Sequence, residues 1–134
     1  MAILERRFCW LRHRAYLVSE FVDGENILDR FAPYVADAPP EAEVAALERL
    51  FVSLWRERIS HGDMKGSNLI WQGGAWVLVD LDAMRRHSNL ASFSRAAVRD
   101  RARFFRNWPV GSPLYRVLDE RIPQPAAIIN ERRG

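Results

Sequence analysis

Two apolar runs, Leu69-Ile70-Trp71-Gln72 and Ala75-Trp76-Val77-Leu78-Val79, meet at Gly73-Gly74, and no other feature restricts the fold of this chain as much. Glycine supplies the positive φ that the favoured two-residue turns require, so the pair predicts an antiparallel hairpin with Gln72 facing Ala75. Counting outward from that turn sets Leu69 opposite Leu78 and Ser67 opposite Asp80. Neighbouring strands lie about 4.8 Å apart, so Asp80-Leu81-Asp82 is brought beside the segment that ends at Asn68.

The remaining elements follow from periodicity and punctuation. Ala15 to Val22 is apolar, aromatic and β-branched and stops at Asp23-Gly24, which predicts a buried strand and a turn. A short helical turn is expected from Glu25 to Phe31. Pro39-Pro40-Glu41 opens a helix over 40–58, with Val44, Leu47, Phe51, Leu54 and Arg58 recurring at steps of three and four. A second long helix is expected over 91–107, with Phe93, Ala97, Phe104 and Phe105 inward and Arg95, Arg99, Arg103 and Arg106 along another face. Ser112-Pro113 caps a last short helix to Arg121, after which Pro123 and Pro125 read as breakers and residues 123–134 as a flexible tail.

Length and composition bound the class. The 134 residues suit one domain, and an apolar content of 49% against 28% charged residues is that of a globular protein. No apolar run approaches the roughly 18 residues a membrane helix needs. Charges interrupt Met1 to Arg7 before an apolar signal region develops, so the expectation is a cytoplasmic chain. The single cysteine, Cys9, lies between Phe8 and Trp10 and reads as a small buried hydrophobe. Eleven of the twenty cations but four of the seventeen acids follow residue 84, which makes the C-terminal part anion-seeking.

The stretch Ser60-His61-Gly62-Asp63-Met64-Lys65-Gly66-Ser67-Asn68 holds the only lysine in a chain with nineteen arginines. With Asp80 delivered by the hairpin, Asp63, Lys65 and Asn68 form one cluster. Two carboxylates and an amide oxygen are hard donors of the kind Mg²⁺ takes, and lysine is a compact charge suited to a phosphate oxygen. Such a set has the parts for phosphoryl transfer: a proton acceptor for a hydroxyl, a cation for the moving phosphoryl and two groups for metal.

"HGDMKGSN" followed by a hairpin and "VDLD" resembles the catalytic loop and metal-binding motif of the protein-kinase-like fold, and the wording is most similar to the lipopolysaccharide core (heptose/Kdo) kinase family. That resemblance implies an α+β fold, a mainly helical C-lobe carrying a catalytic-loop hairpin. It implies ATP and Mg²⁺ as cofactors, a sugar hydroxyl as acceptor and a place at the inner membrane face. By the same resemblance Asp63 is the catalytic carboxylate and Lys65 the phosphate-contacting cation. Asn68 and Asp80 are the metal ligands, with Asp82 as the alternative to Asp80, and His61 supports the loop. The backbone at Glu20, Phe21 and Val22 matches the hinge that meets adenine.

The chain has no glycine-rich loop and no second lysine, both of which a kinase uses to clamp phosphates. The expectation is thus a single kinase-like domain with its N-lobe largely absent: residues 1–24 as remnant strand and hinge, and 25–122 as the C-lobe. A non-catalytic binding domain and a small-molecule (aminoglycoside-type) phosphotransferase are the alternatives. The arginines suit an anionic glycolipid or sugar acceptor, no base-reading motif points to nucleic acid, and Phe8, Trp10, Tyr16 and Phe21 suggest an apolar patch for self-association.

Overall fold

In the computed structural model of the chain, residues 22–131 are described. The expected strand therefore lies outside the described residues except for Val22, as do Glu20, Phe21, Cys9 and the aromatic set Phe8, Trp10 and Tyr16.

Strand β1 (Glu25–Asn26) leads into α1 (Ile27–Phe31), where the Asn26 side-chain oxygen accepts the N–H groups of Leu28 and Asp29 and so caps the first turn. Helix α2 (Glu41–Arg56) starts after Pro40 with Glu41 and Glu43 in its first turn, where acids suit the positive end of the helix dipole. It ends two residues earlier than periodicity suggests because Arg58 adopts φ 55°, a left-handed conformation that a helix cannot continue through. The chain then runs through β2 (Ile59–Ser60), a loop closing in a 3-10 turn at Gly66–Asn68, β3 (Leu69–Gln72), β4 (Ala75–Leu78) and β5 (Arg85–Arg86). Helices α3 (Leu90–Phe105), α4 (Pro113–Arg121) and α5 (Pro125–Glu131) follow.

The hairpin has the expected register, Leu69 with Leu78 through Gln72 with Ala75, and both turn glycines have positive φ, 59° at Gly73 and 79° at Gly74. β1 adds antiparallel to β3, giving the order β1-β3-β4, while β2 and β5 form a separate two-stranded ribbon. Trp76 on β4 is buried and donates its indole N–H to Glu43 O at 2.9 Å, which docks the hairpin on α2. The same Glu43 receives the guanidinium of Arg30 at 2.6 Å, so α1, α2 and the sheet share one junction.

Phe51 of α2, Phe104 of α3 and Trp108 form the centre of the core, with ring centroids 5.1 Å apart for the first pair and 4.9 Å for the second, in edge-on geometry. Leu114 and Leu118 of α4 and Ile122 close it from below. The expectation of a flexible tail is corrected over residues 125–131: Pro125 stands at the start of α5, where its fixed φ fits and its missing N–H is not needed, and Ile128 packs into the core. Among the described residues no helix is long and apolar enough to cross a membrane.

Candidate active site

The segment between β2 and β3 alternates inward and outward side chains. His61 and Met64 are fully buried, whereas Asp63 and Lys65 on either side of Met64 are about a third exposed. The imidazole of His61 is fixed at both nitrogens: Val79 O is 3.0 Å from Nε2, and the Asp63 N–H donates to Nδ1 at 3.2 Å. A carbonyl only accepts and an amide N–H only donates, so these partners assign the ring proton to Nε2. His61 thereby ties the loop to the end of β4. Gly62 has φ 86°, and a Cβ there would stand 2.6 Å from Ala83 Cβ, so both backbone and space require glycine.

Asp100 of α3 and Asn107 in the turn after it, neither marked out by the sequence motif, hold this loop. Asp100, 3% exposed, accepts the backbone N–H of His61 at 2.7 Å and that of Gly62 at 3.0 Å, one on each carboxylate oxygen. Burial pushes its carboxyl above the ordinary aspartate range, and the two backbone donors offset part of that rise. Two turns later Asn107 accepts the Gly66 N–H at 3.2 Å and donates to Phe104 O at 2.6 Å. A signal for Asp100 existed: it is the one acid between Asp82 and Asp119 and lies at helical spacing from Ala97 and Phe104.

Asp63 stands between two cations. Lys65 Nζ is 3.3 Å from Oδ2, and Arg103 Nε of α3 is 3.6 Å from Oδ1. The buried Asn68 donates its side-chain N–H to Asp63 O at 3.0 Å, leaving the amide oxygen as the group available to a ligand. Its backbone oxygen accepts the Val79 N–H at 3.0 Å, extending the β3–β4 ladder one step beyond Leu69 and Leu78. Asp80 is the next residue, exposed and held at φ 57°, a region non-glycine residues occupy at a cost of about 1–3 kcal/mol. Asp82 lies further on, within the turn closed by the Met84 N–H to Leu81 O bond. Asn68 and Asp80 supply one amide and one carboxylate oxygen, which fits Mg²⁺, an ion that binds through few protein groups and keeps water and phosphate for the rest of its shell. Among the described residues no three His, Cys, Asp or Glu side chains gather as a metal cage.

Beneath the loop, Ser60 Oγ and His87 Nε2 are 2.7 Å apart and His87 Nδ1 and Ser92 Oγ 3.0 Å, linking β2, β5 and α3 through a buried imidazole. Burial holds the His87 pKa below its ordinary value, with repulsion from Arg85 and Arg99 acting the same way and Asp100 opposing it.

Of the sequence-derived residues, His61, Asp63, Lys65 and Asn68 are thus brought together directly, and Asp80 is adjoined through the ladder. Val22 is half-buried at the edge of the described residues, and Glu20 and Phe21 lie outside them. Of the arginine stripe, Arg95, Arg99 and Arg106 are exposed and Arg103 faces Asp63. A cavity of about 200 Å³ between α2, α3 and α5, walled by Trp55, Phe93 and Ile128, includes none of the cluster. No family model, curated protein or solved structure matches the chain.

Proposed function

We propose that this chain carries the catalytic-loop side of an ATP- and Mg²⁺-dependent phosphotransferase whose acceptor is a sugar hydroxyl, in the manner of the lipopolysaccharide core kinases its motif resembles. The observation that carries the reading is the arrangement around Asp63: a carboxylate held outward on a doubly stapled loop anchored by the buried His61 and Met64, with Lys65 at one oxygen and Asn68 bonded to its backbone. Asp63 orients the acceptor hydroxyl and takes its proton as that oxygen bonds to the γ-phosphorus and the bond to the β,γ-bridging oxygen breaks. Lys65 is the compact charge for the moving phosphoryl. Asn68 and Asp80 hold the metal, which when bound neutralises charge on the phosphates. Pre-set loop geometry matters because such catalysis is largely positioning and electrostatics.

The test is transfer of labelled γ-phosphoryl from ATP to sugar acceptors, with Asp63→Asn as control. Loss of general-base action should lower the rate by roughly 10²–10⁴-fold. Equal rates in the two proteins would remove the reading.

A second reading, a non-catalytic nucleotide-binding domain, is favoured by one observation: Lys65 is the only lysine, where the phosphotransferase arrangement uses two. Binding of Mg·ATP without any transfer in the same assay distinguishes it.

A further inference from the structure

Asp100 and Arg103 lie at positions i and i+3 of one face of α3, Asn107 follows in the turn after the helix, and Asp100 and Asn107 are the residues that staple this end of α3 to the catalytic loop. Arg103 is therefore carried to the loop by contacts on the turns before and after it. Arg106, one position off this stripe, is exposed. That separates Arg103 from an ordinary solvated arginine: its approach to Asp63 is a consequence of how the helix is docked.

The contact itself is loose. Nε to Oδ1 is 3.6 Å, beyond hydrogen-bond range, and both side chains are more than a third exposed. Among the described residues the guanidinium makes no other hydrogen bond or ion pair, which leaves the donors of its two terminal nitrogens, a fork suited to a planar acid group or a phosphate, without a partner there. On the other side of Asp63 stands Lys65. The carboxylate thus has one cation on the side assigned to the transferred phosphoryl and another on the side left for the acceptor.

We propose that Arg103 is the acceptor-positioning residue of this site. It exchanges its pairing with Asp63 for an acidic substituent of the sugar, phosphate or carboxylate, and in doing so leaves Asp63 Oδ1 to accept the hydrogen bond of the attacking hydroxyl. This rests on the phosphotransferase reading for its role, but the anion site stands or falls on its own.

The experiment is titration of the full chain with glucose 6-phosphate, glucuronate and glucose, following the arginine Nε–Hε signals by NMR, with Mg·ATP titrated separately. The acids should move the Arg103 signal and glucose should not. Arg103→Gln should weaken the binding of the acids at least tenfold and Arg103→Lys less. Asp63→Asn should tighten it several-fold, because the internal competitor is gone, and the gain should vanish when Arg103→Gln is combined with it, whereas a gain through Lys65, the other cation on Asp63, would survive and overturn the assignment. Glucose binding as tightly as the acids, unchanged affinity in Arg103→Gln, or weakening in Asp63→Asn would each overturn the assignment. Failure of Mg·ATP to bind while the acids still respond to Arg103 removes the phosphotransferase reading and keeps the anion site.

Discussion

The backbone N–H of His61 donates to Asp100 Oδ2 at 2.7 Å across 39 positions of sequence, and the Gly62 N–H donates to the other oxygen of the same carboxylate. One buried acid on a long helix thereby fixes the entry of the loop that presents Asp63 and Lys65. Asp100→Asn keeps one acceptor oxygen and turns an NH₂ group toward the second donor. Hydrogen bonds to a charged group contribute about 1.5–3 kcal/mol, and the loss should fall in that range. Urea unfolding measures it, and amide exchange at His61 and Gly62 should accelerate more than exchange in α2.

The buried imidazole of His87 sets a pH limit. Its folded pKa is depressed, so as pH falls below about 6.5 the unfolded chain gains a proton that the folded chain refuses. Stability present above that pH is lost as pH falls toward the folded value, with a slope of at most about 1.4 kcal/mol per pH unit. Asp100 acts with opposite sign, since its raised pKa favours the fold as pH falls through the carboxylate range, which lies lower. Between pH 7 and 5, therefore, the urea midpoint should decline in the native protein and decline less in His87→Gln.

Gly62 is the glycine the loop depends on. Gly62→Ala places a Cβ against Ala83 at φ 86° and should destabilise by about 1–3 kcal/mol. Thermal unfolding checks this, with Gly73→Ala as a comparison: Gly73 shares the positive φ, but nothing lies within 4 Å of its added Cβ, so its loss should be smaller.

Helix α5 is part of the core. Ile128→Ala removes a side chain that is 6% exposed and should lower stability by about 2–4 kcal/mol, measurable by urea unfolding. A flexible tail would give no change.

The hairpin and α2 were legible because their signals are local: two glycines between apolar runs, and apolar residues at helical spacing from Val44 to Phe51. Arg58 falls at helical spacing yet lies outside the helix, because a left-handed arginine has no sequence mark, and its side chain bonds Ser88 O thirty residues on. Pro125 reads equally well as a breaker or a helix start, and only the packing of Ile128 decides between them. At the site, Asp63, Lys65 and Asn68 were legible as a compact motif. Asp100 shows in the sequence only as a lone acid at helical spacing, and neither its loop partners nor those of Arg103 are marked, because their facing is set by which loop the helix docks against, and that is a tertiary property.

The most direct measurement of the central claim is paramagnetic. Mn²⁺, standing in for Mg²⁺, is titrated with ATP into the ¹⁵N-labelled chain. The phosphotransferase account predicts selective broadening of amides at 63–68 and 79–81, abolished in Asp80→Asn with the fold intact. No broadening at those positions, or broadening that persists unchanged without the Asp80 carboxylate, would contradict it.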